Sequence, residues 1–351
     1  MTLAPRSAIL LLAAPLLLPA FPARAQDDPV PPQVQSSIDR GLSWLAHHQQ
    51  TDGQWLTNVD HGPSVAITSL AAMAFMARGH VPGQGPYGDN LNKAVDFILS
   101  KQAPSGLLAS NANAQTMYDH GIATVMLCEA CGMLDDARQE RVKTAVSKAV
   151  RLILNAQNIP KDSGSAGGWR YFATSPDSDI SVTGWQLMAL RGAANIGADI
   201  PQRAIANGIA YIRRRQTPSG GFTYSSSDMG GSTNPARTGT GVLALELLGQ
   251  HDSKESLAGG AYLLKNPIRN DPGTHYFYTV YYCSQAAYQL GGKYWEVLAP
   301  TIRDSLLQRQ GRDGSWSVSQ STEAQGGPAY GTAMAILALA VPYRYLPIYQ
   351  R

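Results

Sequence analysis

The chain has 351 residues, 44% of them hydrophobic and 15% charged, with a net charge of +3. That balance excludes a disordered chain and gives no electrostatic case for a nucleic acid or an acidic polymer as partner. Length alone suggests about two domains of about 150 residues each, and 34 glycines point to many tight turns.

At the N-terminus, Arg6 precedes an apolar stretch from Ala8 to Leu18, broken by Pro15, and Ala23-Arg24-Ala25 follows. This is the pattern of a secretory signal peptide, and the apolar run falls well short of the roughly 20 residues of a spanning helix. The sequence predicts a signal peptide over residues 1–25 and an exported product, periplasmic or secreted, with no transmembrane segment after cleavage. Residues 26–33 read as a flexible leader and residues 34–351 as the folded part.

From there the chain alternates between two kinds of helix. Amphipathic stretches are expected at Val34–Gln49, Asn90–Gln102, Gln139–Gln157, Gln202–Gln216, Lys254–Leu264 and Tyr294–Gln310. More uniformly apolar stretches, rich in small residues, follow them at Ser64–Arg78, Tyr118–Met133, Ser181–Ile196, Thr238–Leu248, Tyr278–Leu290 and Thr332–Val341. A helix apolar around most of its circumference is buried, and an amphipathic one covers it from outside.

Between the members of each pair lies a recurring turn: a Gln, two residues, Asp or Ser, Gly, and a large apolar residue two further on. It occurs at Gln49/Asp52/Gly53/Trp55, Gln102/Ser105/Gly106/Leu108, Gln216/Ser219/Gly220/Phe222 and Gln310/Asp313/Gly314/Trp316. A stretched copy runs from Gln157 to Gly167-Gly168-Trp169, and a worn one from Asn266 to Gly273. A repeat of this length is a supersecondary unit. The last unit is as apolar as the first, with no polar cap, so six units closing into one all-α ring are expected in place of two domains.

Several side chains could carry chemistry. Asp177-Ser178-Asp179-Ile180, followed by Trp185, opens the third inner helix, where Asp179 could be a buried general acid with Asp177 as its partner, or simply a helix cap. Asp60-His61, Asp119, His120, Arg237 and Tyr330 fall at the same end of their units and would converge on one mouth. Tyr278, Tyr281, Tyr282 and Gln285 share one helical face; such aromatics could stabilise a cation, stack on a sugar, or form a packing layer. Cys128 and Cys131 lie in an apolar helix with no second half-site and read as small core residues.

The Gln-x-x-Asp/Ser-Gly-x-Trp/Phe turn resembles the Gln-Trp repeat of the terpenoid cyclase and protein prenyltransferase superfamily. The run from Gly314-Ser315-Trp316 to Tyr343-Arg344-Tyr345-Leu346-Pro347 is similar to its exported, squalene-cyclase-like bacterial members. The resemblance spans about residues 34 to 349 and implies an (α/α)6 toroid whose cavity lies near the inner-helix N-termini. It also implies that Asp179 matches the middle Asp of the cyclases' Asp-x-Asp-Asp, which protonates an alkene; Ile180 stands where their last Asp would be. The prenyltransferase zinc motifs are replaced here by Tyr278-Thr279-Val280 and Tyr330-Gly331-Thr332, so no metal and no cofactor is expected. The functional readings are acid-initiated cyclisation, or another acid/base reaction, on a lipid-like small molecule; a polysaccharide lyase or glycosidase acting on a glycan; and a non-catalytic binding or scaffold protein. Asp179 and Asp177 are the candidate catalytic pair; Trp185, Arg237, His120, Asp119, Tyr278, Tyr281, Tyr282 and Tyr330 are the candidate ligand contacts.

Overall fold

A computed structural model describes residues 30–58, 62, 64–111, 115–228, 231–269, 275–318 and 322–350. The stretch expected to be a signal peptide, most of the expected leader, Asp60-His61 and the end of the worn turn lie outside the described residues. Among these residues are twelve α-helices: α1 (Pro32–His48), α2 (Val65–Ala77), α3 (Gly88–Ser100), α4 (Thr116–Ala130), α5 (Asp136–Gln157), α6 (Ile180–Asn195), α7 (Gln202–Arg214), α8 (Pro235–Leu247), α9 (Lys254–Lys265), α10 (Tyr276–Leu290), α11 (Gly292–Arg309) and α12 (Gly327–Leu339). The last two leader residues are already helical, because Pro32 at the first helical position needs no backbone donor and has its φ preset. No described helix is long and apolar enough to cross a membrane.

The even-numbered helices form the inner ring. α2 packs on α4, α4 on α6, α6 on α8, α8 on α10, α10 on α12, and α12 back on α2, which closes the toroid. Burial follows the sequence pattern: every residue of α2 except Ala66 is buried, whereas the outer helix α7 buries only Ala204, Gly208, Tyr211 and Ile212. Among the described residues, twelve helices pack around one continuous core.

Five of the six turns share one hydrogen-bond scheme. The anchor Gln side chain donates both to the carbonyl of its own turn glycine and to a carbonyl in the next outer helix. Gln49 bonds Gly53 and Asn90, Gln102 bonds Gly106 and Ala145, Gln157 bonds Gly167 and Ala204, and Gln216 bonds Gly220 and Glu255. Gln310 bonds Gly314 and, across the seam of the ring, Ser37 in α1. The turn glycine has positive φ, +86° at Gly167, and a Cβ there would sit 2.4 Å from the Asn207 carbonyl oxygen. The turn tryptophans finish the joint: the indole N–H of Trp55, Trp169 and Trp316 donates back to Leu45, Ile153 and Leu306 near the end of the preceding helix.

At the end of the ring away from the inner-helix N-termini, the C-terminal segment forms a floor. The Ile348 N–H donates to the buried Glu129 carboxyl of α4, Gln289 of α10 donates to the Tyr349 carbonyl, and the Tyr349 and Tyr281 hydroxyls are hydrogen bonded.

Candidate functional site

A cavity of ≈ 630 Å³ opens among the first two turns of all six inner helices, where the resemblance placed it. Its walls are aromatic and aliphatic, with Tyr118, Trp185, Tyr278, Tyr330, Leu70 and Met334 among them, and Arg237, His275, Glu323 and Gln115 add polar groups. The volume is that of an ordinary small-molecule site.

Asp179 stands at the N-terminus of α6. Its backbone is held extended between two turn segments: its N–H donates to the Trp169 carbonyl, and the N–H of Ile180 to that of Tyr224. This fixes the side chain as an N-cap whose Oδ1 accepts from the N–H groups of Ser181 and Val182, both at 2.9 Å. The other oxygen, Oδ2, is buried and accepts no hydrogen bond; Arg170 Nε is 3.8 Å away. Burial pushes the pKa of Asp179 up to about 7, against the opposing pull of the Val182 N–H, Arg170 and the Ser181 N–H.

Asp179 does not touch the cavity directly. It lies one side chain behind the wall, where its charge is felt by the hydroxyls of Tyr118, Tyr224 and Tyr278, all of which line the cavity. Ser181, also in the wall, interacts with the hydroxyls of Tyr118 and Tyr278. Arg170 completes the setting, its guanidinium packed over the rings of Tyr171 and Tyr224, whose hydroxyls are bonded to each other.

Glu323 occupies another part of the wall. Its Oε1 accepts from the Tyr278 N–H at 2.8 Å and the Tyr330 hydroxyl at 2.9 Å, and its Oε2 from the Phe277 N–H at 3.1 Å, so it caps α10 from outside that helix. Arg237 also lines the cavity, paired with Asp228 at 3.1 Å and donating to the Ser232 carbonyl at 2.6 Å. The Tyr278 hydroxyl is 3.0 Å from that of Thr240.

Of the residues singled out from the sequence, Trp185, Arg237, Tyr278 and Tyr330 line the cavity. Tyr281 and Tyr282 do not: they are fully buried one turn deeper, with Trp185 stacked on Tyr281 at a centroid distance of 5.9 Å. Asp177 is not a buried partner of Asp179. Its side chain is half exposed and 3.4 Å from Arg170 Nη1, and its charge adds less to the raised pKa of Asp179 than burial does.

Asp119 and His120 are committed to backbone. Asp119 accepts from the N–H groups of Ala66 and Ser110, joining α4 to the start of α2. His120 Nδ1 accepts from the Leu108 N–H at 3.1 Å, which leaves Nε2 to donate to the Ala149 carbonyl at 3.2 Å; burial lowers its pKa to about 4. It does the work of Thr68, Thr183, Thr238 and Thr332, whose hydroxyls accept the corresponding turn N–H in four other units.

Sequence reasoning missed Arg170, Tyr118, Tyr171, Tyr224 and Glu323. The aromatic–basic run Trp169-Arg170-Tyr171 directly after a turn was a usable signal for the first of these. Glu323 lies in a segment without a motif and meets Phe277 and Tyr278 only through the fold.

No family model matches the chain. In solved structures it is similar to the type II terpene cyclase MstE from Scytonema in complex with geranylgeranyl dihydroxybenzoate, at 15% identity and a TM-score of 0.57, covering 90% of this chain and 98% of that one. It is also similar to the GH76A α-1,6-mannanase of Salegentibacter, at 10% identity and a TM-score of 0.64, covering 88% and 99%. A protein from Actinoplanes matches at 15% identity and a TM-score of 0.56, covering 88% and 99%. At these identities the shared property is the α/α toroid.

Proposed function

We propose that the chain is an enzyme that begins its reaction by protonating a largely apolar small molecule in the central cavity, with Asp179 as the source of the proton. The observation that carries this reading is the Asp179 carboxyl, anchored through Oδ1 and bare at a buried Oδ2, one side chain from an aromatic chamber. Such a carboxyl keeps its proton to near neutrality, and the Tyr118 hydroxyl, in the cavity wall, feels its charge and interacts with the Ser181 side chain. Tyr118, Trp185 and Tyr278 put aromatic rings into the cavity wall, a setting that favours a developing cation. The likeness to a terpene cyclase supports the same reading at the level of fold.

The test is turnover of polyprenes such as squalene and geranylgeraniol by the wild type and Asp179→Asn. The amide oxygen still accepts both N–H groups, so the variant should fold, while product formation drops by about 10² or more. Equal turnover by the two proteins would sink the proposal.

A second reading, action on a glycan, is favoured by the polar part of the wall, Arg237, His275 and Glu323, and by the likeness to a mannanase. It is checked by incubation with acidic polysaccharides and α-mannans. Release of unsaturated or reducing sugars that depends on Arg237, with polyprenes left intact, would select it.

A further inference from the structure

We propose that Glu323 is the proton acceptor that ends the reaction Asp179 begins, so that donor and acceptor act from opposite sides of one chamber. This rests on the reading of Asp179 given above. In the inner ring, taken in order as α2, α4, α6, α8, α10 and α12, α6 and α12 are diametrically opposed. Asp179 caps the start of α6, and Glu323 lies in the short turn, residues 322–326, that leads into α12.

The two carboxyls differ in how their oxygens are treated. Asp179 leaves Oδ2 without a donor, which favours the protonated form. Glu323 has donors on both oxygens, two backbone N–H groups from the start of α10 and the Tyr330 hydroxyl, which favour the anion against the burial that raises its pKa. Unlike Asp179, it forms part of the cavity wall, where it can meet a ligand atom.

The balance closes without a further reactant. A proton that originates on Asp179 and crosses the wall to the cavity forms a new C–H bond at one alkene carbon, leaving a carbocation in the cavity and a carboxylate at Asp179. Glu323 then removes a proton from a carbon next to the cation, and that C–H electron pair becomes a new C=C bond. The product is an isomer of the substrate, and return of the proton from Glu323 to Asp179 through water resets the site.

The experiment follows geranylgeraniol in D₂O with the wild type, Asp179→Asn, Glu323→Gln and Tyr330→Phe. The wild type should give isomers carrying one deuterium, and Asp179→Asn should take up none. Glu323→Gln should still take up deuterium, while the ratio of alkene product to water-captured alcohol falls about tenfold or more. An unchanged ratio in Glu323→Gln, whatever its rate, would overturn the proposal while leaving the role of Asp179 intact. Absence of Asp179-dependent uptake in the wild type would overturn both. If Glu323→Gln does not fold, Tyr330→Phe decides the matter, because it keeps both backbone donors and changes only the hydroxyl on Oε1: a shifted product ratio supports the acceptor, and an unchanged one removes it.

Discussion

Folding moves the proton affinity of Asp179 from an ordinary 3.8 up to about 7, and that of Glu129, under the C-terminal floor, from 4.5 to about 8; in both, burial is the leading cause. Between those limits the native chain keeps protons that the unfolded chain has lost, so each group makes stability fall as pH rises. His120 has the opposite sign. Its pKa drops from 6.5 to about 4, so its contribution is complete above 6.5 and is lost on acidification. Above about pH 6.5 the His120 contribution is complete while the two carboxyls still act, and thermal stability is expected to decline from there to about pH 8, which a melting series in non-interacting buffers would show. Asp179→Asn should flatten part of that decline and melt higher than the wild type at pH 8. A variant with an unaltered slope would show that Asp179 is ionised in the native state at neutrality. At this scale the sequence was readable in type more than in role. Asp179 stood out because an acid at a helix start is a local pattern, but Asp119 and His120 stood out for the same reason and serve the backbone. Tyr281 and Tyr282 were placed on the correct helical face with Tyr278, yet helical period gives direction and not depth, and one turn separates a cavity wall from a packed layer.

The turn between an outer helix and its inner partner was legible in the sequence, because its anchor Gln, turn Gly and a large apolar residue lie within a few residues of one another in four units. The stretched copy, from Gln157 to Gly167, strained the pattern and yet makes the same bonds, whereas the worn one begins with Asn266, whose side chain donates to the Tyr262 carbonyl within its own helix. What the sequence could not show is why the glycine is required. Two requirements coincide at Gly167: positive φ, and the Asn207 carbonyl 2.4 Å from where a Cβ would be. Gly197, with φ +92° and nothing within 4 Å of a Cβ, has only the first. Gly197→Ala is therefore expected to cost roughly 1–2 kcal/mol for the left-handed backbone. Gly167→Ala should add roughly 1–3 kcal/mol for the forced separation of α7 from the turn. Chemical denaturation of the two variants reads the difference directly, and equal losses would mean that the joint yields without strain. Glu323 marks the limit of legibility for elements: it caps a helix that begins about 45 residues earlier in the chain, a pairing that no local period encodes.

Closure sets the energetics of the whole molecule. In an open solenoid each unit leans only on its neighbours, and the terminal ones fray because one of their faces is unpaired. Here the first and last units meet: α12 packs on α1 and α2, and Gln310 donates to the Ser37 carbonyl at 2.8 Å, as Gln157 does to Ala204 at 2.9 Å in the interior of the chain. The seam thus carries the same side-chain bonds as an internal joint, although it ties together residues 273 positions apart. The repeat made such a ring the expected outcome from sequence, and the missing polar caps were the telling sign, since a terminal unit that needs no cap has a partner. If the seam is an ordinary joint, Gln310→Ala and Gln157→Ala should each cost roughly 1–3 kcal/mol, the penalty for leaving buried carbonyls without their donor. Both variants should still unfold in one transition, with tryptophan fluorescence and far-ultraviolet circular dichroism moving together. A much smaller loss at Gln310, or an early transition confined to α1 and α12, would mean that the seam opens on its own and that the cavity wall, to which Tyr330 and Met334 of α12 belong, opens with it.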